Sequence, residues 1–185
     1  MMLQYLPILL AVSVTMVPAM AFADGDPQPG LRSHVSSETG NGHANVAMAL
    51  NLPHPAASVW SVLSDFGNDD VGADIAWKVD YSGDEAGGIR TIHLLDSRGG
   101  GSVAERIYDV NPENRSLRYM LVDFGIAPFA DYKGYMKISE RGAEASVIYY
   151  AAKIFPDGIS PEAAAEFAQE NMLLLQKRLH ALLSE

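Results

Sequence analysis

Five histidines and twenty-three acidic side chains are the groups in this 185-residue chain best suited to ligating a metal or moving a proton. Their spacing excludes most arrangements that would do so. His34, His43 and His54 are scattered, with no His-Glu-x-x-His or comparable ligand pattern. Asp65, Asp69, Asp70 and Asp74 fall close together, but a calcium loop needs oxygen ligands at alternating positions, and this spacing reads as a solvated acidic face. Gly99-Gly100-Gly101 lacks the Lys and Ser/Thr that a phosphate loop carries. There is no Gly-x-Ser-x-Gly elbow to support a serine hydrolase. Cysteine is absent, which removes disulfides, zinc–thiolate sites and cysteine nucleophiles together. No metal, no cofactor and no complete catalytic set is expected.

The formal net charge is -10, and the first charged side chain is Asp24. An acidic surface repels phosphate backbones and anionic headgroups, so nucleic acid is not an expected partner. Leu6 to Ala23 is almost wholly apolar and turns abruptly polar at Asp24. Small residues stand where signal peptidase reads, at Ala19 and Ala21 or at Ala21 and Ala23, with Pro18 ahead of them. No Lys or Arg precedes the apolar run, a departure from the signal pattern; the stretch is barely long enough to span a bilayer, so an uncleaved anchor is the competing reading, against which stand Pro7, Pro18 and the lack of basic flanks. Export is common to both. Residues 1–23 are read as a signal peptide, leaving no stable membrane span after cleavage and a periplasmic or secreted domain.

The elements that must position any site follow. Residues 24–42, rich in Gly, Pro, Ser and Asp, read as a flexible lead-in. In His43 to Leu52, Val46, Met48, Leu50 and Leu52 alternate with small or polar residues, the pattern of a half-buried strand. Ala56, Val59, Trp60, Leu63 and Phe66 make one helical stripe, stopped by Gly67 and Asn68, and a further short helical turn is expected within Asp69 to Ile75. Strands are expected at 77–81, 89–95, 102–110, 116–124, 133–139 and 144–155. Ser160-Pro161-Glu162 is a helix start, with Ser as N-cap and Pro at the first helical position. Ala164, Phe167, Ala168, Met172, Leu175, Leu179 and Leu182 then form a wide apolar face over roughly six turns. The order predicts an α+β domain over 43–185, a curved antiparallel sheet packed on a long C-terminal helix.

Several stretches carry a resemblance: Pro-Ala-Ala-Ser-Val-Trp-Ser-Val-Leu-Ser-Asp-Phe-Gly-Asn at 55–68, Gly-Gly-Ile-Arg at 87–90, Glu-Arg-Ile-Tyr-Asp-Val at 105–110, Leu-Arg-Tyr at 117–119 and Pro-Phe-Ala-Asp-Tyr-Lys-Gly at 128–134, followed by the terminal helix. In this order and spacing the chain resembles the polyketide cyclase/dehydrase branch of the START-like (Bet v 1-like, SRPBCC) superfamily. The resemblance implies the helix-grip fold, with a hydrophobic cavity between sheet and helix. It also implies a ligand among lipids, sterols, hormones or polyketides, which some members cyclise or dehydrate. A set of exported relatives, the MxaD-like proteins, is associated with periplasmic methanol oxidation and is thought to assist a dehydrogenase–cytochrome couple.

Similarity to plant hormone-receptor members turns Arg90, Ile92 and Leu94 inward on one strand, with Val103, Glu105 and Ile107 on the next. It turns Tyr119, Leu121 and Asp123 inward on a third. Tyr132 matches an inward tyrosine, and Phe167, Asn171 and Leu175 would line the helix side. The segments 96–101 and 125–130 match entrance loops, while His93 falls on the outer face. Glu105 has two readings: it binds a ligand hydroxyl or acts as a base, or it forms a self-satisfying ion pair with Arg90. Tyr119, Tyr132 and Asn171 either orient a ligand or pack with one satisfied polar tip. The expected function is an exported, non-catalytic binding protein for a small hydrophobic or amphipathic molecule. The alternatives are an accessory protein that contacts a basic periplasmic redox protein, and a cyclase or dehydratase using Glu105 with a tyrosine.

Overall fold

A computed structural model describes residues 31–185; the leader and its cleavage positions lie outside the described residues. The strands are β1 (Ser33–Gly40), β2 (His43–Leu52), β3 (Ala76–Asp84), β4 (Gly87–Leu94), β5 (Ser102–Asn111), β6 (Ser116–Asp123), β7 (Phe129–Glu140) and β8 (Ser146–Pro156). Helix α1 (Ala56–Leu63) follows β2, and α2 (Pro161–Leu183) closes the domain. All eight strands form one antiparallel sheet in the order β1-β2-β8-β7-β6-β5-β4-β3.

The α+β helix-grip architecture is present as the sequence predicts. The alternation in β2 places Val46, Met48, Leu50 and Leu52 in the core, where they meet Ile148, Tyr150 and Ile154 of β8. Ser160 caps α2 by accepting from the Ala163 N–H at 3.2 Å, and Pro161 occupies the first turn, where a missing N–H costs nothing. From α2, Ala164, Ala168, Met172 and Leu179 are buried. This helix packs against β2, β8 and β1, and touches the short 3-10 turn at Asp69–Gly72. The far half of the sheet, β4 to β7, is left to wall a cavity.

One boundary differs from the sequence reading. Part of the expected lead-in is a strand: β1 pairs with β2 from Ser33↔Leu50 to Gly40↔His43. The turn between them is Asn41-Gly42, both at positive φ (50° and 76°), which is the backbone a two-residue hairpin demands. Composition hid this strand because it lies at the sheet edge, almost wholly exposed, and is built from Ser, Thr and Glu. Its anchor is a residue no pattern flagged. Buried Gln176 of α2 donates from Nε2 to the carbonyls of Arg32 (3.1 Å) and Asn51 (2.7 Å).

The β3–β4 hairpin is also longer than its glycine-rich sequence suggests, because Gly83 and Gly88 pair across it so closely that a Cβ on either would strike the other strand's backbone.

Candidate ligand-binding cavity

Between α2 and the β4–β7 half of the sheet lies a cavity of about 340 Å³. At a liquid share of about 30 Å³ per water, that is room for about eleven waters, enough for a small bicyclic molecule. The helix wall carries Phe167, Asn171 and Leu175, at the four-residue spacing that stacks side chains on one face. Opposite them, β4 contributes Arg90, Ile92 and Leu94, and β5 contributes Val103, Glu105 and Ile107. Tyr119 and Leu121 come from β6, and Tyr132 from β7. The structure thus brings these sequence-predicted residues to one space.

Asp123 is the exception. It is exposed, it does not line the cavity, and its Oδ1 accepts from the Gly125 N–H at 3.0 Å. The reason is a register shift: Glu105 faces Leu121 but Ala104 faces Asp123, so Val122 is an extra residue in β6. Such a bulge breaks the two-residue alternation, and the inward series 119, 121 stops there.

Arg90, Glu105, Tyr119 and Tyr132 bring polar groups to the sheet wall. Arg90 and Glu105 are direct partners in the β4–β5 register. Arg90 donates to Glu105 Oε2 from Nε at 3.0 Å and from Nη2 at 2.5 Å. Their side chains keep only 23% and 12% of their surface exposed. Burial opposes the Arg90 charge, but attraction and hydrogen bonding to Glu105 outweigh it, aided by Tyr119 and Tyr81, and hold its pKa above the ordinary value. Both Arg90 bonds converge on one oxygen, which leaves Oε1 outside the ion pair.

Beside this pair lie three phenols. The Tyr132 and Tyr150 hydroxyls are hydrogen bonded to each other, and the Tyr119 ring lies beside Tyr132, with 6.0 Å between ring centroids. Burial pushes Tyr119 and Tyr150 well above the ordinary phenol pKa of 10.0. It raises Tyr132 as well, against hydrogen bonds from Tyr150 and Tyr119 that lower it. The phenols therefore serve as neutral O–H groups and not as bases. Tyr119 reaches them because its partner across β6–β7 is Gly134, where a Cβ would collide with the ring. Phe129 stacks between Tyr132 and Phe167, at 5.5 and 5.4 Å between ring centroids, joining this wall to the helix.

Tyr150 and Gly134 were not singled out by the sequence reading. The strict alternation of β8, with Ile148, Tyr150, Ala152 and Ile154 buried, is the signal that marks Tyr150 as inward.

Of the segments expected as entrance loops, Arg98 of the first and Ile126, Ala127 and Pro128 of the second line the cavity. Gly99, Gly100 and Gly101 all have positive φ, and Ile126 packs so near Gly99 that a Cβ there would stand 2.7 Å from its Cδ1. Asp65 and Asp74 reach the rim, while Asp69 accepts from the Val79 N–H and so fixes a turn. His93 is turned away from the cavity, bonded to Asp80 at 2.8 Å and stacked on Trp77. His54 pairs with His180 at 2.8 Å. Among the described residues no group of three or more His, Cys, Asp or Glu side chains is arranged to hold a metal.

Residues 43–183 match the family model described as polyketide cyclase / dehydrase and lipid transport, and the chain belongs to that family. Among solved structures, it is similar to the aromatase/cyclase Zhui from Streptomyces sp. R1128, with a TM-score of 0.65 at 16% identity over 77% of this chain and 94% of that one. It is similar to the protein XoxI from Bacillus cereus, with a TM-score of 0.64 at 15% identity over 76% and 96%. A protein of uncharacterised function from Bacillus thuringiensis gives 0.63 at 17% identity over 76% and 99%. At these identities the likeness is one of fold. No curated protein matches the sequence.

Proposed function

We propose that this chain is an exported, non-catalytic binding protein whose cavity holds one small hydrophobic or amphipathic molecule. The observation that carries the reading is the cavity itself: a mostly apolar space with a few polar groups, among them Arg90, Glu105 and two phenols on the sheet side and Asn171 on the helix, the usual composition of a small-molecule site. On that sheet wall Arg90 bonds Glu105, and Tyr132 bonds Tyr150 behind it. Export rests on the apolar run that ends at Ala23.

Native mass spectrometry on protein purified from its own host tests the reading. The expected spectrum shows an adduct that disappears on denaturation. Protein that retains no molecule, and that also fails to take up a neutral apolar fluorophore, would sink it.

A second reading is favoured by the net charge of -10 and the exposed Asp65, Asp69, Asp70 and Asp74: an accessory protein that docks on a basic periplasmic redox protein. That association would weaken steeply with salt. If pull-downs at low ionic strength recover no basic redox protein, this reading loses its footing.

A further inference from the structure

We infer that the cavity selects neutral, hydroxyl-bearing ring compounds and rejects their carboxylate counterparts, because Arg90 on its sheet wall is already neutralised by Glu105, and Arg98, which also lines it, shares the space with the carboxylates Asp65 and Asp74. This deepens the binding reading and rests on it.

The guanidinium is the feature that would ordinarily draw an anion into such a space. Here both of its recorded bonds are spent on Glu105 Oε2, at 3.0 and 2.5 Å, and the two side chains are mostly buried. A ligand carboxylate brought to this wall meets one positive and one negative charge, so its net attraction is small. It must also shed water to enter, and Coulomb repulsion from Glu105 is strengthened in a poorly solvated space. Displacing Glu105 from Arg90 would strand a buried carboxylate, which costs more than the new pair returns.

A ligand hydroxyl suffers neither penalty. It can donate to Glu105 Oε1, which stands outside the ion pair, and accept from a phenol on the same wall. Tyr119 and Tyr132 both line the cavity. Burial keeps their protons on oxygen, so both remain able to donate at neutral pH. The rest of the lining, with Ile92, Leu94, Leu121 and Leu175, is suited to a hydrocarbon ring system. A volume of about 340 Å³ favours a bicyclic skeleton over a long-chain lipid.

The test is isothermal titration of the full-length mature protein with 2-naphthol, naphthalene and 2-naphthoate at pH 7, where naphthol is neutral and naphthoate ionised. The expected order is naphthol tightest, naphthalene weaker, and naphthoate at least about tenfold weaker than naphthol. Glu105→Gln removes the charge that cancels Arg90 while keeping the side chain's shape. In that variant naphthoate should gain about tenfold and overtake naphthol, with circular dichroism confirming the fold. Naphthoate binding as tightly as naphthol to the unaltered protein overturns the inference but leaves the cavity reading intact. Naphthalene equalling naphthol overturns the role given to the hydroxyl. A folded Glu105→Gln protein with no gain for naphthoate overturns the charge argument. Binding of none of the three would bring down the cavity reading, and this inference with it. If the variant does not fold, the ranking on the unaltered protein decides.

Discussion

Burial holds the protons on Tyr119, Tyr132 and Tyr150, and that has a consequence for stability at high pH. Below the ordinary phenol pKa of 10.0, both folded and unfolded chains keep these protons, and their ionisation leaves stability unchanged. As pH rises past 10.0 the unfolded chain releases them while the folded one does not. The folded state then binds more protons, so stability falls with rising pH. Thermal melts between pH 9 and pH 11 should show a falling midpoint that starts near pH 10. Exchanging Tyr132 for Phe should flatten that slope, and an equal slope in the variant would refute the assignment. The same chemistry bears on the cyclase reading of the family: a phenol held neutral can donate to a ligand carbonyl but cannot act as its base.

At the scale of elements, Gln176 ties α2 to the β1–β2 hairpin by donating to two backbone carbonyls from a site only 3% exposed. Gln176→Ala removes both of these bonds, while the Arg32 carbonyl keeps the one it accepts from the Asn51 N–H at 2.9 Å. The expected loss is about 1–3 kcal/mol in urea unfolding. A midpoint that does not move would show that water replaces the side chain without cost. How legible each element was follows from the same contrast. β2, β8 and α2 are half-buried, and burial writes a period into sequence, so their inward residues could be read directly. β1 buries almost nothing, and its hydrogen bonds leave no mark except Asn41-Gly42, which stands at the edge of the stretch read as lead-in. In the cavity, alternation carried the inward series through Tyr119 and Leu121 and failed at Asp123, because a bulge is a backbone event that side-chain types do not announce. The identity of Arg90 and Glu105 as partners was an open reading in the sequence. It became fixed only by strand register.

At the scale of the whole molecule, the charge and the proposed leader bear on each other. Residues 1–23 carry no charged side chain, so cleavage there would leave the full -10 on the remainder. Expression of the full chain with cell fractionation should recover it outside the inner membrane, and amino-terminal sequencing should begin at Phe22 or at Asp24. A product retaining Met1 in the membrane fraction would favour the anchor reading instead. Recovery in the cytoplasm would refute export.

The strand order also sets a timetable. β2 begins near the start of the domain, yet its second neighbour is β8, with Ala44 opposite Ile154. That pairing, which joins the β1–β2 hairpin to the rest of the sheet, therefore waits until almost the entire domain is available, and pairings this distant in sequence form slowly. For a chain threaded across a membrane amino-terminus first, such a topology acts as a delay. β1 and β2 can pair at once as a hairpin, and β3 to β8 can each pair with the next strand, but the two groups join into one sheet only after β8 has emerged.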